Sequence, residues 1–376
     1  MTDLDAQRAK IDKLDQAITG LYRERMEAVS AIADYKREKG EPIYHPDREE
    51  QVLQKVMAMA GEQNAQKIRQ LYKTLMRQSR ERQYEIISAQ QTIEEIIGTA
   101  ILDEIKPETA AYAGLPGAYT QIAARTFYPD STLVSYETFD SVLEAVATKK
   151  CDLGILPIDN TTEGIVPDVY EGLLKHRLYI SASLTMPISH CLLGAANADI
   201  RKITTVLSHP QALGQCADYI SRHGYTAVPD INTAIAARKV SEANKPEVAA
   251  IGSKLAAEIY GLTILSEGIN DASCNSTRFI AVTRQPVVGR DANRIALSYI
   301  VPHESGSLAS ILSVAADYNI NVLNVQSLPL PEKPWQYRFY MDITGSVYSS
   351  EIKAILHMLY KELPEMVFLG NYADKG

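Results

Sequence analysis

IDKLDQAITGLYRERMEAVSAI, residues 11–32, decides the fold of the first part of this chain. Apolar residues recur in it at spacings of three and four, which is typical of one face of a long packed helix: Ile11, Leu14, Ile18, Leu21, Ala28 and Ile32. Arg25 occupies a position on this apolar face. Because an unpaired buried charge is costly, the pattern predicts an anionic partner for Arg25, either a protein carboxylate in an interhelical ion pair or a ligand carboxylate.

The helical phase of the neighbouring cations favours a ligand. Lys36 lies eleven residues after Arg25, which at roughly 100° per residue returns it to within about 20° of the same face. Arg8 is turned by about 100° from that face, so it cannot serve the same pocket from the same helix. If Arg8 contributes, it reaches into a neighbouring subunit.

The length of the first helix also predicts a neighbouring subunit. From about Asp3 to Lys39 only Gly20 interrupts helix-forming residues, which gives a rod on the order of 55 Å long before Gly40-Glu41-Pro42 ends it. A monomeric domain of this size cannot bury such a rod, so we expect a dimer with a shared core.

Two further helices complete the first domain. Pro46 opens a short helix that ends near Gly61, and a third helix runs from about Ala65 into the 90s. Ser79 and Gln83 lie one turn apart on the third helix. Taken alone, this pair is more typical of a solvated face than of a site.

Residues 1–95 resemble the all-helical chorismate mutase domain, on the order and spacing of Gln7-Arg8-Ala9-Lys10-Ile11-Asp12, Arg25, Lys36, Asp47-Arg48-Glu49, Ser79 and Gln83. The resemblance implies a domain-swapped dimer in which Arg8 crosses between subunits. It also implies the roles of the substrate-binding residues: Arg8, Arg25 and Arg48 bind the carboxylates of chorismate, Lys36 and Gln83 its ether oxygen, and Glu49 the ring hydroxyl, with Ser79 beside them. The catalytic residues would be Lys36, Gln83 and Glu49. The family often has an aspartate where this chain has His45.

These roles suit a pericyclic rearrangement, in which no proton moves and no nucleophile is needed. Catalysis then consists of holding a compact conformer and stabilising the negative charge that grows on the ether oxygen. No metal or cofactor is implied.

Composition limits the remaining possibilities. A chain of 376 residues with 46% hydrophobic content predicts two or three domains, and its net charge of −8 argues against nucleic acid as a partner. The N-terminus is a charged helix, and apolar runs fall short of the roughly 18 residues that span a membrane, so we expect a cytoplasmic protein without membrane contact. The widely spaced cysteines predict buried free thiols: Cys151, Cys191, Cys216 and Cys274.

After Pro107 short apolar runs alternate with helical stretches, which indicates an α/β domain. We predict strands at 110–113, 153–157, 205–207 and 248–251, and mostly helical structure in the remaining segments. The loop Gly114-Leu115-Pro116-Gly117-Ala118-Tyr119-Thr120 opens a helix whose free N–H groups would suit a carboxylate, although a plain strand-to-helix turn is the more common meaning of such a loop.

Polar clusters lie at the ends of these elements: Asp159-Asn160-Thr161-Thr162-Glu163-Gly164, Ser208-His209-Pro210-Gln211 with Gln215, Asn232-Thr233, and Asn275-Ser276-Thr277-Arg278-Phe279. Each alone is compatible with ordinary turns and caps. Together, over residues 110–285, they resemble prephenate dehydratase. The resemblance implies two α/β lobes like a periplasmic binding protein, with the substrate in the cleft between them.

In that family the ring becomes aromatic as carbon dioxide and hydroxide leave, so the site has a modest task. We expect Thr277 to donate a hydrogen bond to the leaving hydroxyl and Arg278 to anchor the pyruvyl carboxylate. The other expected substrate-binding residues are Asp159, Asn160, Thr161, Ser208, Gln215 and Phe279.

The C-terminal segment predicts the order βαββαβ: strands at 294–301, 321–327, 336–344 and 367–371, and helices at 308–318 and 349–360. This order resembles an ACT regulatory domain. Gly306-Ser307-Leu308-Ala309 is similar to the family's phenylalanine-binding loop. Gln326-Ser327-Leu328-Pro329 stands where the family has Glu-Ser-Arg-Pro, so we expect phenylalanine binding with altered affinity or transmission.

The sequence therefore predicts a bifunctional enzyme that converts chorismate to prephenate and then to phenylpyruvate, carbon dioxide and water, as a homodimer or tetramer. Its predicted domains are a mutase at 1–97, a linker at 98–109, a dehydratase at 110–286 and an ACT domain at 293–372. Arogenate as the second substrate, or a non-catalytic amino-acid-binding regulator, are the alternatives. A fused prephenate dehydrogenase is disfavoured because the chain has no Gly-x-Gly.

Overall fold

The computed structural model describes residues 3–87, 90–98, 100, 105–272, 275–302, 304–330, 332–333 and 335–375, without the side chains of 3 and 90–92. Cys274 lies outside these residues, and the linker at 98–109 lies only partly within them. Cys151, Cys191 and Cys216 are buried free thiols, as predicted.

The helices within the described ranges are α1 Asp3–Lys39, α2 Pro46–Ala60, α3 Ala65–Ile86, α4 Gln90–Ile97, α5 Tyr119–Phe127, α6 Phe139–Ala147, α7 Pro167–His176, α8 Pro210–Gly214, α9 Ala217–His223, α10 Thr233–Ala243, α11 Lys254–Tyr260, α12 Ser307–Asp317 and α13 Ser350–Glu362. A 3₁₀ turn covers Ile200–Lys202. None of these helices is long and apolar enough to cross a membrane.

The strands in the same ranges are β1 Thr109–Ala113, β2 Thr132–Tyr136, β3 Leu153–Asn160, β4 Gly164–Ile165, β5 Tyr179–Pro187, β6 Cys191–Gly194, β7 Thr205–Ser208, β8 Thr226–Pro229, β9 Val248–Gly252, β10 Thr263–Glu267, β11 Ser276–Thr283, β12 Arg294–Ile300, β13 Val322–Pro329, β14 Tyr337–Thr344 and β15 Val367–Asp374. The chain divides into two compact units. The first contains Met1–Gly98, Tyr299–Asn321 and Gly345–Val367, and the second contains Thr99–Ser298, Val322–Thr344 and Phe368–Gly376.

The first unit confirms the predicted helical N-terminal domain, including the bounds of α1. The apolar face of α1 has little cover within the chain, because Ile11, Leu14, Ile18 and Leu21 are 53–65% exposed. An exposed apolar stripe of this length marks an interaction surface.

Two arginines join α3 to the C-terminal helices of the same unit. Arg80 is nearly buried and pairs with Glu362 of α13 at 2.8 Å and with Glu49 of α2 at 2.5 Å. Arg77 pairs with Glu81 at 2.7 Å and also with Asp317 at the end of α12. Because buried cations need such partners, these pairs hold α2, α12 and α13 in place against α3.

The second unit contains two sheets. The larger sheet has the order β13-β14-β12-β15-β5-β11-β3-β1-β2, with β4 pairing beside β3. In it β1 runs parallel to β2 and β3, whereas β11 is antiparallel to both β3 and β5. Helix α5 packs on one face of this sheet, and α6 and α7 pack on the other.

The smaller sheet has the order β10-β6-β9-β7-β8 and carries α10 and α11 on one side. The chain passes from the larger sheet to the smaller one between β5 and β6, and returns between β10 and β11. Two α/β lobes joined by two crossings confirm the predicted binding-protein-like architecture.

The C-terminal segment has the predicted βαββαβ order, with all six elements within three residues of the expected bounds. Its strands continue the larger sheet through the pairing of β15 with β5. The domain boundaries stay predictions.

Two expectations about secondary structure were wrong. The third helix does not run into the 90s, because Ile87 adopts extended backbone angles and ends α3. The remaining segments of the α/β domain are not mostly helical either, since they also contain β2, β4, β5, β6, β8, β10 and β11.

Candidate active sites

The first candidate site lies among the three long helices of the first unit. Arg25 of α1 is half-buried and donates hydrogen bonds to Ser79 Oγ and to Leu75 O of α3, the latter at 3.1 Å. Within the described residues it has no ion pair, so the interhelical ion pair considered for Arg25 is not observed. A guanidinium with neutral partners can still donate to the carboxylate of a ligand.

Lys36 and Glu49 bring opposite charges to this site. The Lys36 ammonium donates to Ile43 O at 2.7 Å. Partial burial lowers the pKa of Lys36, and the charges of Glu41 and Glu49 oppose that effect. Glu49 is half-buried and is held by Arg80 at 2.5 Å.

Gln83 supplies a buried amide beside Ser79. Its Nε2 donates to Ser79 O at 3.1 Å, and its Oε1 is buried without a hydrogen-bond partner in the described part of the chain. An unsatisfied buried acceptor costs about 1–3 kcal/mol, which a ligand that donates to it would recover.

The remaining residues expected in the mutase site are not assembled within one chain. Arg8 lies on the exposed part of α1, about 25 Å along the helix axis from Arg25 at 1.5 Å per residue. Arg48 is also exposed and contacts Gln51 at 3.5 Å, and His45 is exposed at the start of α2 without a capping hydrogen bond. The helical phase had placed Arg8 outside this pocket, and the structure agrees.

The second candidate site lies where the two lobes of the second unit meet. A cavity of about 240 Å³ is lined there by Thr162, Glu163, Gly214, Gln215, Asn270, Asp271, Ala272 and Asn275. Thr277 is the second residue of the central strand β11, two positions after the cavity-lining Asn275, and is almost buried.

A chain of amides leads from the cavity to Thr277. Asn160 Nδ2 donates to Thr277 Oγ1 at 2.8 Å and to Asn275 Oδ1 at 2.9 Å. Asn275 Nδ2 in turn donates to Gln215 Oε1 at 2.9 Å. Gln215 Nε2 donates to Thr162 Oγ1 at 3.2 Å. Asn160, Gln215 and Thr277, chosen from separate parts of the sequence, are therefore brought together.

In this arrangement the Thr277 hydroxyl oxygen accepts a hydrogen bond from Asn160, and its own hydroxyl proton is not used in that bond. Among the described residues no group accepts the Thr277 hydroxyl proton. This geometry suits donation to a leaving hydroxyl, which was the role expected of Thr277.

The structure does not bring Arg278 together with this amide chain, and its expected role as a carboxylate anchor stays a prediction. Successive side chains of a strand point to opposite faces, so Arg278 lies on the face of the sheet away from Thr277. There it is buried and pairs with Asp159 at 2.6 Å and with Asp342 of β14 at 2.5 Å. Two carboxylates already satisfy this guanidinium, and Asp159 is engaged with it rather than with the cavity.

Three other expected substrate residues are engaged elsewhere. Phe279 is buried in the core beside α5. Ser208 is fully buried and donates to Ile251 O at 2.7 Å. Thr161 exchanges hydrogen bonds with the Ser276 backbone, through both its N–H and its hydroxyl at 2.9 Å. These contacts are structural, so the structure does not place Phe279, Ser208 or Thr161 in the cavity.

The polar pairs beyond the cavity follow the ordinary pattern of caps. Asn232 caps α10 by accepting from Ile235 N at 2.7 Å, and His209 caps α8. In the loop before α5, Gly117 N donates to the Gln121 side chain at 2.7 Å, so that N–H is not free for a carboxylate.

Sequence reasoning missed three residues of this site. Asn275 and Thr162 lay inside the quoted polar clusters but were not selected. His190 was not considered. It is buried at the start of β6, with its ring nitrogens 3.1 Å from the Tyr119 hydroxyl and 3.0 Å from Gln215 Oε1. A polar residue directly before a buried strand was the only signal available.

The residues expected to bind phenylalanine lie at the start of α12 and on β13. Gly306 begins α12 with φ of +90°, a left-handed conformation that favours glycine, and Ser307, Leu308 and Ala309 form the first turn of that helix. Gln326 and Ser327 lie on β13, where Gln326 contacts Asn324 at 3.0 Å.

The fold and sites define a class of protein that has a helical domain, with Arg25 and Lys36 on neutral partners, followed by a two-lobed α/β domain with a polar cleft. Family comparison agrees: residues 7–84 match the model for chorismate mutase type II, and residues 110–287 match the model for prephenate dehydratase. The chain belongs to the family of bifunctional chorismate mutase/prephenate dehydratases.

Individual relatives extend over the chain to different degrees. The bifunctional chorismate mutase/prephenate dehydratase of Escherichia coli (strain K12) is 29% identical over 99% of this chain and 96% of its own length. Arogenate dehydratase/prephenate dehydratase 1 of Arabidopsis thaliana is 34% identical over 70% of this chain and 71% of its own. The prephenate dehydratase of Arthrobacter aurescens, solved in complex with L-Phe, covers 70% of this chain and 90% of its own, with 28% identity and a TM-score of 0.65. The predicted pair of activities, an isomerase and a lyase in one chain, is confirmed.

Proposed function

We propose that this enzyme rearranges chorismate to prephenate in its helical domain and then converts prephenate to phenylpyruvate, carbon dioxide and water in the cleft of its α/β domain. The observation that carries the proposal is the amide chain that ends at Thr277. It leaves a hydroxyl proton available at the cavity, as loss of a hydroxide ion requires. Free buried thiols suit a cytoplasmic enzyme, and we place it there.

The test feeds chorismate to the purified protein and follows its loss together with phenylpyruvate formation. Both signals are expected. Loss of chorismate without phenylpyruvate would leave only the mutase, and prephenate compared with arogenate at equal concentration would decide the second substrate. A protein that binds phenylalanine and turns over neither compound would be a regulator.

In the mutase site we assign the carboxylates of chorismate to Arg25, to Arg48 and to Arg8 of the other subunit. Lys36 and Gln83 act at the ether oxygen, and Glu49 at the ring hydroxyl, with Ser79 orienting Arg25. The support is the neutral environment of Arg25 and the burial of the Gln83 amide beside Ser79, since its NH₂ group can donate to an ether oxygen.

We propose that the mutase is a domain-swapped dimer, because the exposed apolar face of α1 and the distant Arg8 need the same partner. Ile18→Glu should give a monomer by analytical ultracentrifugation and lower the mutase rate about a hundredfold, since one carboxylate then loses its charged donor. Gln16→Glu, on the opposite face of α1, is the matched control. A monomeric Ile18→Glu protein with full mutase activity would contradict the shared site. Further pairing into tetramers would appear in the same measurement.

We propose that phenylalanine regulates the enzyme through an ACT domain whose binding loop is Gly306 to Ala309, with Gln326 and Ser327 modifying affinity or transmission. Calorimetry should detect phenylalanine binding. Gly306→Ala should weaken it about tenfold, because a Cβ strains a residue with φ of +90°. Absence of heat with phenylalanine in the unsubstituted protein would contradict the proposal.

A further inference from the structure

His190 lies at one end of the amide chain that reaches Thr277. It sits on the crossing from β5 to β6, and its backbone N–H donates to Asn270 Oδ1 on the return crossing at 2.7 Å. The ring is held on two sides, by Tyr119 and by Gln215. His190 is not one of the residues that line the cavity of about 240 Å³, whereas Gln215 is. Any role of His190 in the reaction is therefore exerted through Gln215.

The direction of each hydrogen bond in this amide chain can be worked out from the end at Asn160, opposite His190. The backbone N–H groups of Thr162 and Glu163 donate to one atom of the Asn160 amide, at 2.9 and 3.1 Å. Backbone N–H groups only donate, so that atom must be Oδ1. Asn160 therefore turns its NH₂ group towards both Asn275 and Thr277.

The same donor and acceptor argument applies in turn to Asn275, Gln215 and His190. Asn275 must present Oδ1 to Asn160, which turns its NH₂ group towards Gln215. Gln215 must then present Oε1, and that oxygen also lies 3.0 Å from His190 Nε2. An amide oxygen only accepts, so the proton of the neutral imidazole is on Nε2. Nδ1 lies 3.1 Å from the Tyr119 hydroxyl, which itself donates to Ser189 O at 2.7 Å.

We propose that His190 is a positioning residue of the dehydratase. Its Nε2–H fixes the Gln215 amide, and through Asn275 this reinforces the orientation of Asn160 that the backbone N–H groups of Thr162 and Glu163 set. Asn160 then keeps Thr277 an acceptor within the protein, with its proton directed to the leaving hydroxyl. Burial lowers the pKa of His190, which agrees with a neutral ring. The inference rests on the proposed role of Thr277.

Two substitutions of His190 distinguish the role of Nε2 from that of Nδ1. The amide of Gln reaches about as far as Nε2 and retains a donor to Gln215, whereas the shorter amide of Asn reaches only as far as Nδ1. We expect His190→Asn to lower kcat for prephenate on the order of tenfold with little change in KM, and His190→Gln to stay within about threefold of the original kcat. Chorismate consumption by the same chain should be unchanged in both variants.

The outcomes decide between the possible explanations. Equal loss in both variants, or a rise in KM with kcat unchanged, would overturn the positioning role. Nitrogen NMR of the unsubstituted protein labelled at histidine tests the tautomer even if a variant fails to fold: an Nε2–H signal supports the inference, and an Nδ1–H signal overturns it. If Thr277→Val also leaves the dehydratase active, the fault lies in the proposed role of Thr277. If Thr277→Val abolishes activity and His190→Asn changes nothing, only this inference fails.

Discussion

Thr277→Val should remove phenylpyruvate formation and leave chorismate consumption intact. Valine keeps the shape and the β-branched side chain at the start of β11, so the fold of a nearly buried position is preserved while the hydroxyl is lost. We expect kcat for prephenate to fall by about 10² to 10³, the range measured when one donor to a developing negative charge is removed. Phenylpyruvate absorbance after addition of prephenate measures the effect.

Thr277→Ser is the matched control, because it retains an oxygen that can accept from Asn160 Nδ2 and donate a proton. Its kcat should stay within about tenfold of the original. The mutase domain provides an internal reference for folding and concentration in both variants. Retention of more than about a tenth of the activity by Thr277→Val would exclude the hydroxyl as the principal donor.

The helical part of the fold could be predicted closely because its signals are local. Gly40 and Pro42 end α1, Pro46 opens α2, and the spacing of apolar residues gives the phase that separates Arg8 from Arg25. The end of α3 was missed because Ile87 is neither glycine nor proline. Its extended conformation has no marker in the sequence.

The strands of the dehydratase were harder to predict because they are short and unevenly buried. β2 and β10 consist of partly buried and exposed residues, so neither shows a continuous apolar run nor a clean alternation. β5 has buried positions in irregular order. Pairing with β11, which is distant in sequence, makes it a strand.

Arg278 and Thr277 show that adjacent residues of one motif can lie in different surroundings. Thr277 is linked to the cavity through Asn160 and Asn275, and the two were assigned together because they are adjacent. Alternation along β11 would have separated them, but Asp342, the partner of Arg278, lies 64 residues further along the chain and could not be inferred. His190 is the opposite case, since its contacts with Tyr119 and Gln215 exist only after the lobes have folded.

Lys36→Met should lower the mutase rate by about 10² to 10³, because it removes the fixed positive charge at the place where the ether oxygen becomes negative. The pH dependence of the mutase rate is a second, independent test of whether the charge of Lys36 is needed. Since partial burial lowers the pKa of Lys36, the ammonium loses its proton at a lower pH than an exposed lysine. Mutase activity should therefore decline on the alkaline side as that proton leaves, while phenylpyruvate formation from supplied prephenate does not follow the same curve.

Lys36→Arg tests whether this alkaline decline belongs to Lys36. A guanidinium stays charged throughout, so the remaining mutase activity of Lys36→Arg should persist to higher pH even if its maximum is lower. Arg37→Met, at the adjacent exposed position, controls for the loss of one positive charge from the same turn of α1. An alkaline limb that is identical in Lys36→Arg and the original enzyme would assign the titration to another group. Together with the internal dehydratase reference, that comparison distinguishes a charge at the ether oxygen from a general effect on the helical domain.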